Sequence, residues 1–494
     1  MYQVMIVDDE PTSLGHIRTI LEKKCTGYEI LATAENGAEA MEKIQKKQPD
    51  IVISDIKMPV MDGIELVSRI KKEYPEILSV IVSGYQDFDY AKSAIQSGVC
   101  DYLLKPLNPT DMQKLMQKLE VRLSNLYYEK RKQILRTLCN GRKLENESIL
   151  QRYFPEGRYY SAIIRRNGLP KRFSRKTGVE IFSMEEEQFY IYGRDEMESL
   201  YLVPESLLSI ESFSQVVTRF YERMQNDYLF VTAVTYEDSF ALQEFPEIVQ
   251  KIYRELDEAV IIGKNQMLKG SQQIYDAAQG ENEKEKLACV GSLLKYKETG
   301  KILQEITGLF ELWETQNRRQ LYVEGQIQYL FQLIKNGYSQ AGESNGIEFA
   351  IDDAFSYAAS MQELKDSVAD IIAQLLPSTQ TNKTDDKQQL FHSLLSYLDS
   401  HLETNITLSF LCKKFAISQT SLSRLFREYK EMSFSNYLTM IRMERAKQLM
   451  DSNPDIYVKD VAESVGYSDQ FYFSRIFHSV VGVCPSEYVG QGKG

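Results

Sequence analysis

At 494 residues the chain is too long for one hydrophobic core, and the usual size of domains predicts three or four units. With 43% hydrophobic and 26% charged residues it has the composition of an ordinary globular protein, which excludes broad disorder. A formal net charge of −12 argues against nucleic-acid binding by the chain as a whole, but residues 389–494 hold 11 Lys+Arg and 11 Asp+Glu, so the acidic excess lies in residues 1–388. No apolar run approaches the roughly 18 residues of a membrane span, and the start, MYQVMIVDDE, has no basic region followed by an apolar signal core. A cytoplasmic protein without membrane partners is expected. Cys25, Cys100, Cys139, Cys289, Cys412 and Cys484 are scattered with no C-x-x-C pair, so neither a zinc site nor a disulfide framework is indicated.

Residues 1–122 alternate short apolar runs (Tyr2–Val7, Glu29–Ala34, Ile51–Ser54, Ser79–Val82, Asp101–Leu104) with stretches of helical period such as Gly37–Lys47 and Asp62–Glu73. Five βα units predict a five-stranded parallel sheet wrapped by helices, with ligands bound at the carboxyl ends of the strands. Asp8 and Asp9 follow the first strand and Asp55 ends the third, so their side chains should converge. Clustered carboxylates repel unless a cation neutralises them, and an oxygen-only ligand set suits Mg²⁺ or Mn²⁺. Ser83 ends the fourth strand and Lys105 the fifth, which adds a hydroxyl and a cation to the same rim and completes a phosphoryl-binding pocket. Singly these signals are weak: an Asp-Asp pair after a strand is usually a cap or a solvated turn, and Lys-Pro is a turn. Their coincidence at four strand ends, in order, is specific.

With V-D-D-E, D-x-x-M-P-x-x-D-G, Ser-Gly and K-P in place, this region resembles the receiver domain of two-component signalling, a flavodoxin-like α/β fold. The resemblance implies that Asp55 is the phosphoacceptor, fed by a sensor histidine kinase. It implies that Asp8, Asp9, Asp55 and the Lys57 backbone carbonyl hold the metal, and that Lys105 pairs with the phosphoryl group. Ser83 would move to hydrogen-bond that group and Tyr102 would turn inward behind it, altering the surface between the fourth helix and fifth strand. The chemistry is nucleophilic catalysis by a carboxylate with metal assistance.

From Pro109 a helical pattern runs toward Asn140, interrupted at Lys130 and Gln133, and residues 123–140 read as a helical linker, either a signalling helix or dimer coil or a last helix packed on its own domain. Residues 141–264 mix strands (Tyr159–Arg165, Gln188–Tyr192, Leu200–Val203, Tyr228–Thr235) with helices near Phe213–Met224 and Pro246–Glu258, an α/β middle domain. Residues 265–376 are helical by period. Residues 377–388, Pro-Ser-Thr-Gln-Thr-Asn-Lys-Thr-Asp-Asp at their core, have linker composition.

Residues 389–494 read as all-helical, with two helix-turn-helix units. Leu408–Phe415, a turn at Ala416-Ile417 and Ser418 precede the helix Gln419–Tyr429. Val458–Val465, Gly466-Tyr467 and Ser468 precede Asp469–Phe477. Between them Phe434–Met450 forms one helix carrying Arg442, Arg445 and Lys447, in the locally basic interval Lys413–Lys447. Two similar units joined by a basic helix, together with the ending V-G-V-C-P-S-E-Y, resemble the AraC/XylS-type DNA-binding domain, whose two recognition helices enter successive major grooves. The resemblance implies base-edge positions at Thr420, Ser423 and Arg424, and at Gln470, Phe471 and Arg475, with Leu422, Leu425, Phe426, Phe473, Ile476 and Phe477 on the core face. A phosphate contact or an internal ion pair is the competing reading for Arg424 and Arg475. His478, Cys484 and Val489 depart from the commoner Lys, Thr and Arg of that pattern, which touches backbone anchoring more than the fold.

Receiver, long middle and double helix-turn-helix together resemble the YesN-like response regulators, some of which carry a degenerate domain related to nucleotide cyclases in the middle. The G-G-[DE]-E-F turn of an active diguanylate cyclase is not supplied by Gly193-Arg194-Asp195-Glu196-Met197. Three functions are therefore weighed: a phosphorylation-controlled transcription factor acting on promoter DNA, as a homodimer when phosphorylated and with RNA polymerase as a further partner; a cyclase-like enzyme; and a DNA-binding regulator that ignores phosphorylation and answers to a ligand or partner of the middle region.

Overall fold

The computed structural model describes residues 1–84, 99–144, 147–172, 180–184, 189–208, 212–225, 229–270, 281–296, 299–337, 345–375, 385–404, 406, 408–417, 419–467 and 470–491. The chain divides into two compact units, Met1–Gln133 and Ile134–Gly494.

In the first unit, strands β1 (Tyr2–Val7), β2 (Tyr28–Ala34), β3 (Ile51–Asp55), β4 (Leu78–Ser83) and β5 (Asp101–Leu104) form a parallel sheet in the order β2-β1-β3-β4-β5. This is the doubly wound order whose reversal point lies between β1 and β3. Both sheet faces are apolar and covered, which is why the strands read as continuous Val/Ile runs. Helices α1 (Pro11–Lys24), α2 (Gly37–Lys46) and α3 (Gly63–Glu73) follow β1, β2 and β3. Asn36 and Asp62 cap the last two by accepting hydrogen bonds from the Glu39 and Glu65 amides. The expected fourth helix falls in residues 85–98, outside the described residues.

The helix beginning at Pro109 runs unbroken to Cys139. Met112, Leu115, Met116, Leu119 and Leu123 fill the core of the first unit, and Tyr127 donates its hydroxyl to Asp50 Oδ1 at 2.9 Å and stacks edge-on against Tyr2. The first unit thus extends about three turns past the expected boundary at residue 122, because these aromatic contacts carry the helix along the domain beyond its last apolar heptad.

The second unit joins the middle and the C-terminal helices in one body. Its six-stranded sheet runs β11-β10-β6-β9-β8-β7, with β6 at Tyr159–Arg166, β7 at Ile181–Met184, β8 at Tyr190–Gly193, β9 at Glu198–Pro204, β10 at Val231–Phe240 and β11 at Gln266–Lys269. β7 was not among the expected strands. β11 departs from the reading of residues from 265 as almost wholly helical: Gln266–Lys269 pair parallel with Thr232–Thr235. Helices Phe213–Met224 and Phe245–Ala259 pack on β10. Helices Glu281–Tyr296, Thr299–Thr315, Gln320–Gly337, Asn345–Tyr357 and Met361–Leu375 follow. Their polar centre is Glu283, which accepts from Trp313 Nε1 at 2.6 Å, Tyr322 Oη at 2.7 Å and Arg318 at 3.2 Å; Trp313, the chain's one tryptophan, is fully buried. A further helix, Asp385–Ser400, opens the C-terminal region.

A candidate phosphoacceptor site and a candidate nucleic-acid interface

The candidate phosphoacceptor site stands at the carboxyl ends of β1, β3 and β5. Each strand leaves the sheet there, so the backbone aims its terminal side chains into a common space. Asp8 is fully buried, Asp9 exposed and Asp55 half-buried, and one carboxylate oxygen from each lies within 4.8 Å of the others. Lys105 Nζ donates to Asp8 Oδ2 at 2.8 Å and to Asp55 Oδ2 at 2.7 Å. Burial disfavours the charged ammonium, but the two carboxylates outweigh it and hold the Lys105 pKa above its ordinary value. Three acids of one rim with oxygen donors alone are a donor set that a hard divalent cation fits.

Local geometry fixes these acids. Asp8 Oδ1 accepts from the Glu10 amide at 2.9 Å and Oδ2 from the Ser13 hydroxyl, while the Ile56 amide donates to Asp55 Oδ1 at 2.6 Å. The loop after Asp55 turns back through Val60, at φ +69°, and Gly63 donates its amide to the Ile56 carbonyl at 2.9 Å. A Cβ at Gly63 would lie 1.9 Å from the Asp55 carbonyl oxygen, so this close approach admits glycine and explains the Asp62-Gly63 pair. Ser83 is buried at the end of β4, and Tyr102 packs beside Ile56, Val67 and Ile81. The Lys57 side chain is exposed in the loop. Ser13 was not anticipated; its only local signal is a hydroxyl in the first turn of the helix that follows Asp8-Asp9.

The C-terminal helices follow the expected order: Leu408–Phe415, Gln419–Lys430, Phe434–Ser452, Val458–Ser464, Gln470–Val481 and Pro485–Gln491. Ser418 and Ser468, which the sequence places just before the two recognition helices, lie outside the described residues, as do the side chains of Thr420 and Phe471. Leu422, Leu425, Phe426, Phe473, Ile476 and Phe477 are all buried in the two half-domain cores. Arg424 is exposed and Gln470 half-buried. Ser423 and Arg475 are 3% and 4% exposed, and Ser423 Oγ donates to Asp353 Oδ2 at 2.9 Å. Arg442 departs from its expected place on a basic surface: it is buried and donates to the carbonyls of Thr404 at 2.9 Å and Leu402 at 3.4 Å, tying the long central helix to the turn before Leu408. Burial draws its pKa down. Arg445 is exposed and Lys447 pairs with Glu444 at 3.0 Å.

In the middle, Gly193–Met197 forms the turn between β8 and β9. Arg165, fully buried, donates to Asp195 at 2.9 Å and to Glu198 at 3.2 Å, and Arg194 donates to Glu198 at 2.7 Å. Charge neutralisation by Arg165 holds the Asp195 carboxyl below its usual range against the opposing effect of burial. Asp195 in this turn and Glu198 at the start of β9 are thus occupied by arginines.

Residues 4–117 match the response regulator receiver domain and residues 411–491 a helix-turn-helix domain of AraC type. The chain thus carries a match to a receiver domain near one end and a match to a helix-turn-helix domain near the other. Among relatives, the chain is 41% identical over 126 residues to the uncharacterized transcriptional regulatory protein YesN of Bacillus subtilis, covering 26% of this chain and 33% of that one. It is 39% identical over 116 residues to the DNA-binding transcriptional regulator NtrC of Escherichia coli, 23% of this chain and 24% of that one. The matches thus span a third or less of these relatives' lengths. A solved receiver domain of AraT, a response regulator from Geobacillus stearothermophilus, is 33% identical with a TM-score of 0.24, covering 25% of this chain and 95% of that structure. Among the described residues no helix is long and apolar enough to cross a membrane.

Proposed function

We propose that the chain is a phosphorylation-switched transcription factor: Asp55 takes a phosphoryl group from a histidine kinase, and the two C-terminal helix-turn-helix units bind promoter DNA. The observation that carries this reading is the pair of hydrogen bonds that Lys105 donates to Asp8 and Asp55 on a rim with Asp9. Asp55 Oδ2 acts as nucleophile on a phosphohistidine phosphorus; the P–N bond breaks, the imidazole leaves with its electron pair, and a carboxyl phosphate remains on Asp55. Asp8, Asp9, Asp55 and the Lys57 carbonyl would hold Mg²⁺ or Mn²⁺, which offsets charge on the phosphoryl oxygens. Lys105 already faces Asp55 and exchanges a carboxylate partner for a phosphoryl oxygen. Ser83 donates its hydroxyl to the same group, and Tyr102 follows it inward.

In the C-terminal domain Arg424 reads guanine edges, with Thr420, Ser423, Gln470, Phe471 and Arg475 as the remaining base-facing positions. Arg165 and Arg194 claim Asp195 of the β8–β9 turn and Glu198 beside it, which supports a regulatory middle over a cyclase.

Two measurements test the reading. Incubation with acetyl phosphate and Mg²⁺ should give one phosphorylated species in gel-shift electrophoresis, abolished by Asp55→Asn. Genome-wide DNA occupancy should show shared targets whose occupancy falls in Asp55→Asn. Equal occupancy in both proteins would favour control through the middle region, and absence of common sites would overturn the DNA reading.

A further inference from the structure

We infer that residues 134–375 mask both recognition helices in cis, so that the C-terminal domain must part from the middle before either helix can enter a major groove; this rests on the DNA reading above. The first recognition helix, Gln419–Lys430, packs against helices Asn345–Tyr357 and Met361–Leu375. Ser423 is there bonded to Asp353 at 2.9 Å, and Asp353 and Asp352 are the carboxylates whose charge reaches Arg427. Acids of the middle thus hold side chains of the helix that the DNA reading turns toward a duplex.

The second helix, Gln470–Val481, packs against the edge strand β7. Tyr472 Oη donates to the Glu196 carbonyl at 3.0 Å and Ser479 Oγ to the Glu180 carbonyl at 2.9 Å. The Arg166 guanidinium sits 3.6 Å from the Tyr472 ring centre, and Ile181 joins the core formed by Phe473, Ile476 and Phe477. Arg475 is buried in the same place.

A helix with its side chains is roughly 10–12 Å across and the major groove about 12 Å wide, so a helix backed by other elements on its reading side does not fit. Arg424 is exposed, but it lies beside the buried Ser423 and cannot reach a groove alone. The partition of such a chain between covered and open forms lowers its apparent affinity by the open fraction.

The test uses the full chain and substitutions on the middle's side of the contact: Asp353→Ala with Arg166→Ala, and the shape-preserving Asp353→Asn as a second variant. Unchanged Trp313 fluorescence marks a folded variant. Hydrogen exchange is followed in residues 419–430 and 470–481, and binding to a random-sequence duplex pool of about 40 base pairs, long enough for two helices one turn apart, is followed at fixed low salt. Faster exchange in both helices, with binding at least tenfold tighter than wild type and a smaller shift in the same direction for Asp353→Asn, is expected. Unchanged exchange in the double variant, or wild-type binding as tight as the variant's, overturns the masking. Faster exchange with no DNA binding by any protein leaves the covering contact standing and refutes the DNA reading.

Discussion

Lys105 is the cation of the receiver site, and replacing it with methionine should make the domain's stability depend on Mg²⁺ far more strongly than in the wild type. In the wild type its ammonium lies 2.8 Å from the fully buried Asp8 carboxylate and 2.7 Å from that of Asp55. Removing one partner of a buried pair costs about 3–5 kcal/mol. Lys105 is 21% exposed and Asp55 15%, so solvent screening lowers the expected loss to about 2–3 kcal/mol. For a unit of this size that corresponds to a fall of roughly 10 °C in the receiver's transition in EDTA. Mg²⁺ at a hundredfold excess over its dissociation constant restores about 2.7 kcal/mol. In the wild type the ion must displace the ammonium from the same oxygens, so its increment should be less than half as large. Calorimetry of the full chain reads both, because a transition that leaves Trp313 emission unchanged belongs to the first unit. Equal Mg²⁺ increments in the two proteins would refute the view that Lys105 occupies the metal's carboxylates.

Gly63→Ala should destabilise the receiver and slow phosphorylation from acetyl phosphate at least tenfold, since a 1.9 Å approach forces the Asp55 backbone to move; gel shift and calorimetry check it. Glu324, whose pKa burial pushes up to about 7, is bonded by Gln320 at 2.7 Å. A carboxyl raised in the folded state binds more protons there than when unfolded, so stability falls as pH rises from about 4.5 to 7. Glu324→Gln should flatten that fall and be more stable than wild type by up to about 3 kcal/mol at pH 8, with little gain at pH 4, read from urea unfolding by Trp313 fluorescence. Arg165→Met should cost about 3–5 kcal/mol in the same assay by stranding Asp195, a loss that would be absent if solvent reached the pair. Arg475→Ala should lose sequence discrimination, whereas Lys447→Ala should weaken binding uniformly and flatten its salt dependence; equal losses on specific and random DNA for Arg475→Ala would sink its base-reading role.

The receiver site was legible because strand ends are marked in sequence by apolar runs that stop at Asp8, Asp55, Ser83 and Lys105, and the sheet order brings those ends together. β7 and β11 were hidden: IFSM and QMLK have four residues each, too few to establish a period, and β11 is held by its parallel pairing with β10. Arg442 read as surface charge beside Arg445 and Lys447 because its local sequence carries no sign of the Leu402 and Thr404 carbonyls that receive it. Ser423 fitted a base-facing position by pattern, yet its partner Asp353 lies 70 residues away in another region. Such a pairing leaves no trace in either local segment.

The contact between Asp353 and Ser423 has a further consequence, for reversibility. Asp353 presents Oδ2 to the serine but keeps Oδ1 on Lys171 at 3.0 Å, and Asp352 accepts from the Arg172 amide at 2.9 Å. Arg166 likewise keeps the Glu196 carbonyl at 3.0 Å when its ring neighbour leaves. Asp353, Asp352 and Arg166 therefore each retain a partner on the middle's own side when the seam parts. A joint made this way can open and reclose without the penalty of an orphaned buried charge, as a switch that must be used many times requires.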